Sequence, residues 1–506
     1  RLRSHRSDSR FGYILNSADP SASTSFPRGS LMLVTLVTLL PVLTVPAVLA
    51  RHVVPLHRQR VPVQGDDDRI SYKSVYFGSV AVGKPEQKFS VVFDTGSGHV
   101  ILPSSECHSE TCRIHNRYDK QASDGAIDVD YDGTPVRSGA PRDQITVAFG
   151  TGEVTGNFVH DRICLSPEAA PASQSAGMAY TEPLLLVQSG DALERGQPGE
   201  NITQVPIMAN VSTPLRHEAM NCVDLRVVMA TEMTEEPFHA FAFDGVLGLG
   251  LDNLALAPEF SFFGMMAKQV ALEEPSFGVF LADSDDEISE ISFGGISPDK
   301  ITSALTWAKV ASPELGYWQV QVNSIRIGNR TLDYCDDGEC RAVVDTGTSL
   351  LAVPEDFAEQ LQQDLETALT DPTPSPSGGV DCRFASGLPL HFDVEGRSIT
   401  LLPADYSRQA VHAEESFESE SAELNAELNA AEAKRPTCQP TIMPLELPEP
   451  LGPKLFIWGE PVLRKYYTVY DWKEKQIGFG LAAHTPPQVS ADEEAKQLRG
   501  RGLLFA

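Results

Sequence analysis

The sequence predicts a mostly β protein built from two related halves. A chain of 506 residues, 42% of them apolar, is long enough to form two domains with sizeable cores. One short motif occurs twice: residues 91–97 read Val-Val-Phe-Asp-Thr-Gly-Ser, and residues 342–348 read Ala-Val-Val-Asp-Thr-Gly-Thr. In each copy an apolar, β-branched run predicts a buried strand that ends in a carboxylate, a hydroxyl and a glycine. Residues 72–82 and 317–322 alternate in the manner of further strands.

The flanks of the two copies also match. A single Asp-Thr-Gly is weak support for a site, because the same residues make ordinary turns. Here each copy leads through an apolar run to a proline, Val-Ile-Leu-Pro at 100–103 and Leu-Leu-Ala-Val-Pro at 350–354. In these features the chain resembles the pepsin-like aspartic endopeptidases. The resemblance implies a bilobal, mostly β fold in which each lobe gives one Asp to a cleft that binds an extended peptide.

The resemblance assigns catalysis to Asp94 and Asp345. In this enzyme class two carboxyl groups about 3 Å apart cannot both ionise, so they hold one proton between them in acid. One group then acts as a general base toward water while the protonated partner polarises the scissile carbonyl. This chemistry requires no metal and no cofactor. The residues expected to support the pair are Thr95, Gly96, Ser97, Thr346, Gly347 and Thr348.

Each supporting hydroxyl has an implied role. By the resemblance, Thr95 and Thr346 brace the two turns against each other. Ser97 and Thr348 are expected to hydrogen-bond the outer oxygens of the two catalytic carboxylates. Such bonds favour the ionised form and preorganise the pair for catalysis.

A glycine-punctuated hairpin over residues 145–156 resembles the family's flap, the ribbon that closes over bound substrate. The predicted flap and substrate-binding residues are Phe149, Gly150, Thr151 and Ile101. The family has Tyr at the position of Phe149 and its Trp partner at the position of Ile101. Because both polar partners are replaced, neither is left without a hydrogen bond. We therefore expect apolar packing alone to hold this flap, the alternative being that Phe149 only packs the hairpin.

The composition limits the kinds of molecule that the protein is expected to bind. The chain has 40 Lys and Arg against 69 Asp and Glu, a net charge of −29, which argues against nucleic-acid binding. The cysteine and histidine spacing does not fit a zinc site, and the expected metal content is none. We expect polypeptide substrates, a monomer, and no membrane contact in the mature form unless an N-terminal anchor is retained.

Eight cysteines, an even number, predict disulfides and an export route. The family places bridges at Cys107–Cys112, Cys335–Cys340 and Cys382–Cys438, which leaves Cys164 and Cys222 to each other. Three sequons are candidates for glycosylation, at Asn201, Asn210 and Asn329. The expected location is the secretory pathway, with the protein secreted or held in a lysosome-like or vacuole-like compartment.

The domain boundaries follow from composition and resemblance. We expect an upstream segment (1–31), a cleaved signal peptide (32–50) and a short propeptide or leader (51–70), with the folded chain beginning near residue 70. An uncleaved anchor is the alternative for the apolar run, because residues 31–50 are about long enough to span a bilayer. An inhibitory propeptide and a leader without a role both stay open. We place the lobes at 71–275 and 276–482, a loop-like insertion at 166–221, an acidic insertion at 405–437, and a charged tail at 483–506.

Together these features predict an aspartic endopeptidase that acts at acidic pH and prefers apolar residues around the scissile bond. The alternative is a catalytically silent peptide-binding or inhibitory relative with the same fold. A glycosidase that uses the same carboxylates would need a wider separation than a shared proton allows.

Overall fold

Each copy of the repeated motif lies at the end of a buried strand, as its apolar run predicts. The computed structural model describes residues 51–64, 69–149, 152–167, 188–194, 221–284, 286–371, 380–412 and 437–485. Several predicted features lie outside the described residues: the upstream and signal segments, Gly150, Thr151, Asn201, Asn210 and the tail beyond residue 485.

Strands are the commonest regular element among the described residues. They are β1 (His52–Gln64), β2 (Arg69–Val82), β3 (Gln87–Asp94), β4 (Val100–Pro103), β5 (Ile127–Val129), β6 (Gln144–Phe149), β7 (Gly152–Leu165), β8 (Gln188–Glu194), β9 (Cys222–Met233), β10 (Gly245–Gly248), β11 (Ser276–Phe280), β12 (Ser289–Phe293), β13 (Thr306–Lys309), β14 (Gln319–Gln321), β15 (Ser324–Ile327), β16 (Arg330–Leu332), β17 (Arg341–Val344), β18 (Leu351–Pro354), β19 (Leu390–Val394), β20 (Arg397–Leu401), β21 (Ser407–His412), β22 (Thr437–Pro440), β23 (Ile442–Leu445), β24 (Leu455–Trp458), β25 (Tyr466–Asp471) and β26 (Gln476–Leu481).

The helices are short. The α-helices are α1 (Glu110–Ile114), α2 (Phe262–Gln269), α3 (Glu355–Ala368), α4 (Pro403–Tyr406) and α5 (Glu460–Lys465). Single 3₁₀ turns occur at Lys120–Ala122, Phe238–Ala240, Asp252–Leu254, Pro258–Phe260, Pro298–Lys300, Pro313–Leu315, Asp333–Cys335 and Cys382–Phe384.

The strands around the two motifs pair in the same order. In the N-terminal half β3 is parallel to β10, β10 is antiparallel to β4, and β4 is parallel to β9. In the C-terminal half β17 is parallel to β24, β24 is antiparallel to β18, and β18 is parallel to β23. Strands β4, β10, β18 and β24 are buried at every position, as continuous apolar runs predict. The predicted fold class, mostly β with two related lobes, is confirmed.

A third set of strands joins the ends of the chain. Strands β1, β12, β11, β25, β26 and β13 pair in that order, each antiparallel to its neighbour. Aromatic side chains fill the core beneath them: Phe277 stacks on Tyr470 with ring centroids 4.6 Å apart, and Trp318 meets the edge of both rings. Trp318 Nε1 donates to the carbonyl of Leu249 at 2.8 Å, which links this core to the N-terminal half.

The segment predicted to be a propeptide or leader forms a strand. We expected folded chain from about residue 70, but the first part of β1 pairs with β12 and the rest pairs with β2. Val54, Leu56 and Val61 are buried. The apolar residues of this segment alternate with His, Arg and Gln, a pattern that fits a strand with one buried face. The segment is therefore part of the sheet.

Both insertions contribute strands. Strand β8 of the first insertion pairs with β6, and β21 of the second pairs with β22 and reaches β2 at Arg69 and Ile70. The first insertion was expected to be loop-like because of its Ser, Pro and Gly content, residues that do not favour strands. An available sheet edge supplies hydrogen bonds that propensity does not report. The acidic run within the second insertion, residues 413–436, lies outside the described residues.

The cysteines pair as expected from the sequence. The bonded pairs are Cys107–Cys112, Cys164–Cys222, Cys335–Cys340 and Cys382–Cys438. Within the described ranges no helix has the length and apolar character needed to cross a bilayer. The apolar run at 31–50 is outside those ranges.

Removal of β1 should destabilise the protein strongly. A chain that starts at Arg69 loses the burial of three apolar side chains, each worth about 1.5 to 3 kcal/mol, and leaves the edge of β12 unpaired. We expect the free energy of unfolding in urea to fall by about 4 kcal/mol or more. The matched control starts at Arg51 and keeps β1. Equal stability of the two chains would show that β1 is dispensable.

Candidate active site

Asp94 and Asp345 sit at equivalent strand ends. Asp94 is the last residue of β3, and Asp345 directly follows β17. Both side chains are fully buried. The amide of Gly96 donates to Asp94 Oδ1 at 2.9 Å, and the amide of Gly347 donates to Asp345 Oδ1 at the same distance. Each turn thus holds the inner oxygen of its own carboxyl group.

The two turns face each other closely. A Cβ atom built on Gly96 would lie 2.8 Å from Asp345 Oδ1, so a side chain at this position would displace the carboxyl group. The carboxyl groups of Asp94 and Asp345 are near enough to hydrogen-bond, and each alters the pKa of the other. The structure therefore brings together two acids that are 251 positions apart in the chain. Thr95 and Thr346, which hydrogen-bond to each other, have the same separation.

Thr95 and Thr346 exchange hydrogen bonds between the turns. The amide of Thr95 donates to Thr346 Oγ1 at 3.0 Å, and the amide of Thr346 donates to Thr95 Oγ1 at 3.0 Å. Each hydroxyl then donates across to the other half, Thr95 Oγ1 to the carbonyl of Val344 at 2.8 Å and Thr346 Oγ1 to that of Phe93 at 2.6 Å. The four bonds fix the relative position of the two turns.

The outer oxygens of the two carboxyl groups differ in their partners. Thr348 Oγ1 donates to Asp345 Oδ2 at 2.5 Å. Ser97 lies beside Asp94 and lowers its pKa, but neither Ser97 Oγ nor Asp94 Oδ2 has a partner at hydrogen-bonding distance among the described residues. The sequence predicts equal bonds from Ser97 and Thr348. The bond from Thr348 is short, whereas Ser97 lies close enough to lower the pKa of Asp94 without a contact at hydrogen-bonding distance, so Asp94 Oδ2 is buried and without a partner among the described residues.

Burial dominates the electrostatics of the pair. Desolvation raises the pKa of Asp94 well above its ordinary value, and the negative charge of Asp345 raises it further. Desolvation also raises the pKa of Asp345, although hydrogen bonds from Thr348 and Gly347 oppose that rise. Asp345 accepts more hydrogen bonds than Asp94 does, so the arrangement favours one ionised and one protonated carboxyl group, with a single proton held within the pair.

A buried acidic residue lies behind the second turn, where the first turn has an apolar one. Strand register sets Gly248 opposite Asp94, and by the equivalent pairing of β17 with β24 it sets Gly459 opposite Asp345. The next residue is Leu249 in the N-terminal half and Glu460 in the C-terminal half. The amide of Glu460 donates to the carbonyl of Thr348 at 3.0 Å.

Strand β2 reaches this carboxylate from the other half of the chain. Tyr76 is buried, and its hydroxyl donates to Glu460 Oε1 at 2.8 Å. Ser349 Oγ donates to the carbonyl of Ser74 at 2.6 Å. Sequence reasoning missed these contacts. The available signal was Glu460 itself, an acidic residue that follows the apolar strand β24 and Gly459.

The predicted flap residues that the structure describes are brought together. Phe149 ends β6, Ile101 lies in β4, and both are buried and line one pocket together with Phe238. The ring of Phe149 meets the ring of Phe238 edge to face, with centroids 6.1 Å apart. Phe149 and Ile101, which stand where the family has Tyr and Trp, thus lie in an apolar environment.

Comparison with known proteins decides the family. The profile of the eukaryotic aspartyl proteases matches residues 75–188 and 218–482, most of the chain. The chain belongs to the eukaryotic aspartyl protease family. This protease is 30% identical over 417 residues to vacuolar protease A of Aspergillus fumigatus, with 80% of the chain and 79% of the relative covered. It is 27% identical to cathepsin E of Mus musculus, with 80% of each covered, and 26% identical to pepsin A of Suncus murinus, with 83% and 84% covered.

The comparisons confirm the predicted family and enzyme class, an aspartic-type endopeptidase and hydrolase. The family also implies polypeptide substrates for this protease.

Loss of one threonine hydroxyl should destabilise the paired turns. In Thr346→Val the buried amide of Thr95 loses its acceptor and the carbonyl of Phe93 loses its donor. An unsatisfied buried group costs about 1 to 3 kcal/mol, so the free energy of unfolding in urea should fall by about 2 kcal/mol or more. Thr346→Ser keeps the hydroxyl and should stay close to wild type. Equal losses in both variants would instead implicate the methyl group.

The buried pair should stabilise the folded protein more at acidic pH than at neutral pH. Because the pKa of Asp94 is raised in the folded chain, the folded state binds this proton more tightly than the unfolded state, in which the Asp pKa is about 3.9. The stabilisation is complete below about pH 3.9 and is lost as pH rises toward the folded pKa.

The measurement compares the free energy of unfolding of wild type and Asp94→Asn between about pH 3 and 7. The wild-type value should fall relative to the variant as pH rises. Asp299→Asn changes an exposed carboxyl group and serves as the control. A difference that is constant or increases with pH would contradict the raised pKa of Asp94.

Proposed function

We propose that this protease is an acid endopeptidase that hydrolyses peptide bonds with Asp94 and Asp345 acting on one water molecule. The observation that carries the proposal is the pair of facing, fully buried carboxyl groups at equivalent strand ends, both with raised pKa. Such a pair keeps one proton at a pH where a solvated pair would have lost both. The working range therefore lies in acid.

The roles divide between the two acids. The ionised member removes a proton from water as general base, and the protonated member donates a hydrogen bond to the scissile carbonyl and then its proton to the leaving nitrogen. The titration belongs to the pair, because the two groups are coupled. Asp94 Oδ2, which has no partner within the described residues, supports the proposal as the oxygen that faces the water or the substrate.

Substrate preference would arise from the flap pocket. Phe149, Ile101 and Phe238 pack together and are buried, so we propose that this apolar surface contacts the residue before the scissile bond when the flap moves to admit substrate. We propose that apolar packing alone holds the flap of this protease. The lobes would meet at the cleft, with 71–275 on one side and 276–482 on the other.

The disulfides and the pairing of β1 bear on the location and processing of the protease. Four disulfides favour an oxidising compartment, so we propose the secretory pathway, with the mature protease secreted or vacuolar. Asn329 is exposed and accessible to glycosylation. Residues 52–56 pair with β12 and residues 57–64 pair with β2, so release of 51–70 as a propeptide would break both pairings.

Hydrolysis should depend on each member of the pair. Asp94→Asn and Asp345→Asn should lower kcat on acid-unfolded globin by at least about 10³-fold, because each removes one partner in proton transfer. Asp299→Asn should retain wild-type kcat. Sequencing of the products should show apolar residues before the cleaved bonds.

Wild-type protein that cleaves nothing across the acid range, or cleavage unchanged in Asp94→Asn, would overturn the proposed activity. Wild-type protein that binds peptide without cleaving it would identify a catalytically silent relative.

A further inference from the structure

Strand β1 supports one wall of the flap pocket. We call residues 238–243 the wall segment, because its first and last residues both line that pocket. The side chain of Gln59 in β1 pairs with the backbone of this segment. Its Nε2 donates to the carbonyl of Ala240 at 3.2 Å, and its Oε1 accepts from the amide of Ala242 at 2.8 Å. One side-chain amide thus bonds the wall segment twice.

The wall segment depends on such bonds because its backbone is irregular. It consists of the single 3₁₀ turn Phe238–Ala240 and of residues outside regular structure that lead to β10. Ala240 and Ala242 are both buried, and a buried backbone carbonyl or amide without a partner is unfavourable. Gln59 therefore supplies the hydrogen bonds that a neighbouring strand would give to a regular segment.

Aromatic contacts continue the support from β1 to the wall segment. The ring centroid of His57 lies 6.0 Å from that of Phe77, which lies 6.2 Å from that of Phe243. Phe243 in turn stacks on Phe241 with centroids 4.9 Å apart. Alternate residues of a strand point to the same side, so His57 and Gln59 share one face of β1. That face packs toward the wall of the pocket.

A second side chain fixes the start of the wall segment. His115 is buried, and its Nε2 lies 3.1 Å from the carbonyl of Phe238, which accepts the hydrogen bond. The ring of Phe238 meets that of Phe149 edge to face across the pocket. The backbone of the wall segment is thus held at its start by His115 and further along by Gln59, and it can retreat from Phe149 only if these bonds break.

We propose that Gln59 is a positioning residue that makes the flap pocket select an aliphatic side chain, such as that of Leu, over an aromatic one, such as that of Phe. The inference rests on the proposed endopeptidase function, which assigns this pocket to the residue before the scissile bond. Because Phe149 and Phe238 meet in the pocket, an entering side chain must displace a ring. A narrow aliphatic chain needs a rotation of that ring alone. A flat aromatic ring also needs the wall backbone to retreat, which Gln59 opposes.

The first experiment measures kcat/KM on two peptides that differ only in having Leu or Phe before the scissile bond. Wild type should prefer the Leu peptide. Gln59→Ala in the full chain should lower that preference about tenfold, chiefly through a lower KM for the Phe peptide, because the wall segment is then free to retreat. Arg60→Ala is the matched control, since Arg60 is exposed and points to the opposite side of β1. It should keep the wild-type preference.

A titratable replacement tests the hydrogen bonds themselves. In Gln59→Glu a protonated carboxyl group can accept from the amide of Ala242 and donate to the carbonyl of Ala240, whereas a carboxylate cannot donate. The ordinary pKa of Glu is about 4.3, so this variant should have the wild-type preference at about pH 3 and lose it toward about pH 6. Taking the ratio of the two peptides cancels the pH dependence of catalysis, which both share. Wild type should show no such change, and the variant remains a test even if Gln59→Ala does not fold.

Affinity measurements separate this inference from the proposed activity. The two peptides are titrated against Asp94→Asn with and without Gln59→Ala, which measures the selectivity of the pocket without hydrolysis. A shift of the affinity ratio toward the Phe peptide in the double variant supports the inference even if no form cleaves peptide. If wild type cleaves both peptides but the ratio is the same in Gln59→Ala, or if N-terminal sequencing finds β1 absent from the active enzyme, the inference is overturned and the endopeptidase function stands.

Discussion

The site depends on four hydrogen bonds between two threonines and the opposite halves of the chain. Each hydroxyl accepts from the amide of the other threonine and donates to a strand carbonyl beyond it. Thr95 is buried and Thr346 is partly buried, so a missing partner would leave an unsatisfied dipole with little access to water. The two turns can therefore be displaced only together. This constraint keeps two acids in contact although their lobes fold from separate parts of the sequence.

Contact between two buried carboxyl groups is itself unfavourable, and the fold offsets it. The amides of Gly96 and Gly347 and the hydroxyl of Thr348 stabilise charge, while desolvation and the neighbouring acid oppose it. The balance leaves a proton within the pair instead of expelling it. The strands beneath the turns are buried at every position, so the surrounding packing resists the repulsion that would separate the acids.

The sequence predicted the fold class, because its motif occurs twice with matching flanks, and the family resemblance predicted the cysteine pairs. It did not predict β1 or β8. Strand β1 has a basic, half-polar pattern that also suits a solvated leader, and β8 becomes a strand only because the edge of β6 is available. Ser97 was expected to match Thr348, but side-chain distance within a turn depends on tertiary packing. Tyr76 and Glu460 meet across 384 positions, a contact that no local pattern reports.

Leu249 and Glu460 occupy equivalent positions in the two halves, but one is apolar and the other is acidic. Two identical half-chains related by an exact twofold axis would give both acids the same neighbours, and any substitution would appear on both sides at once. A single continuous polypeptide is free of that restriction. It has placed an apolar residue behind one acid and a charged, tyrosine-bonded residue behind the other. One continuous chain can thus give the two members of a nearly symmetric pair different surroundings.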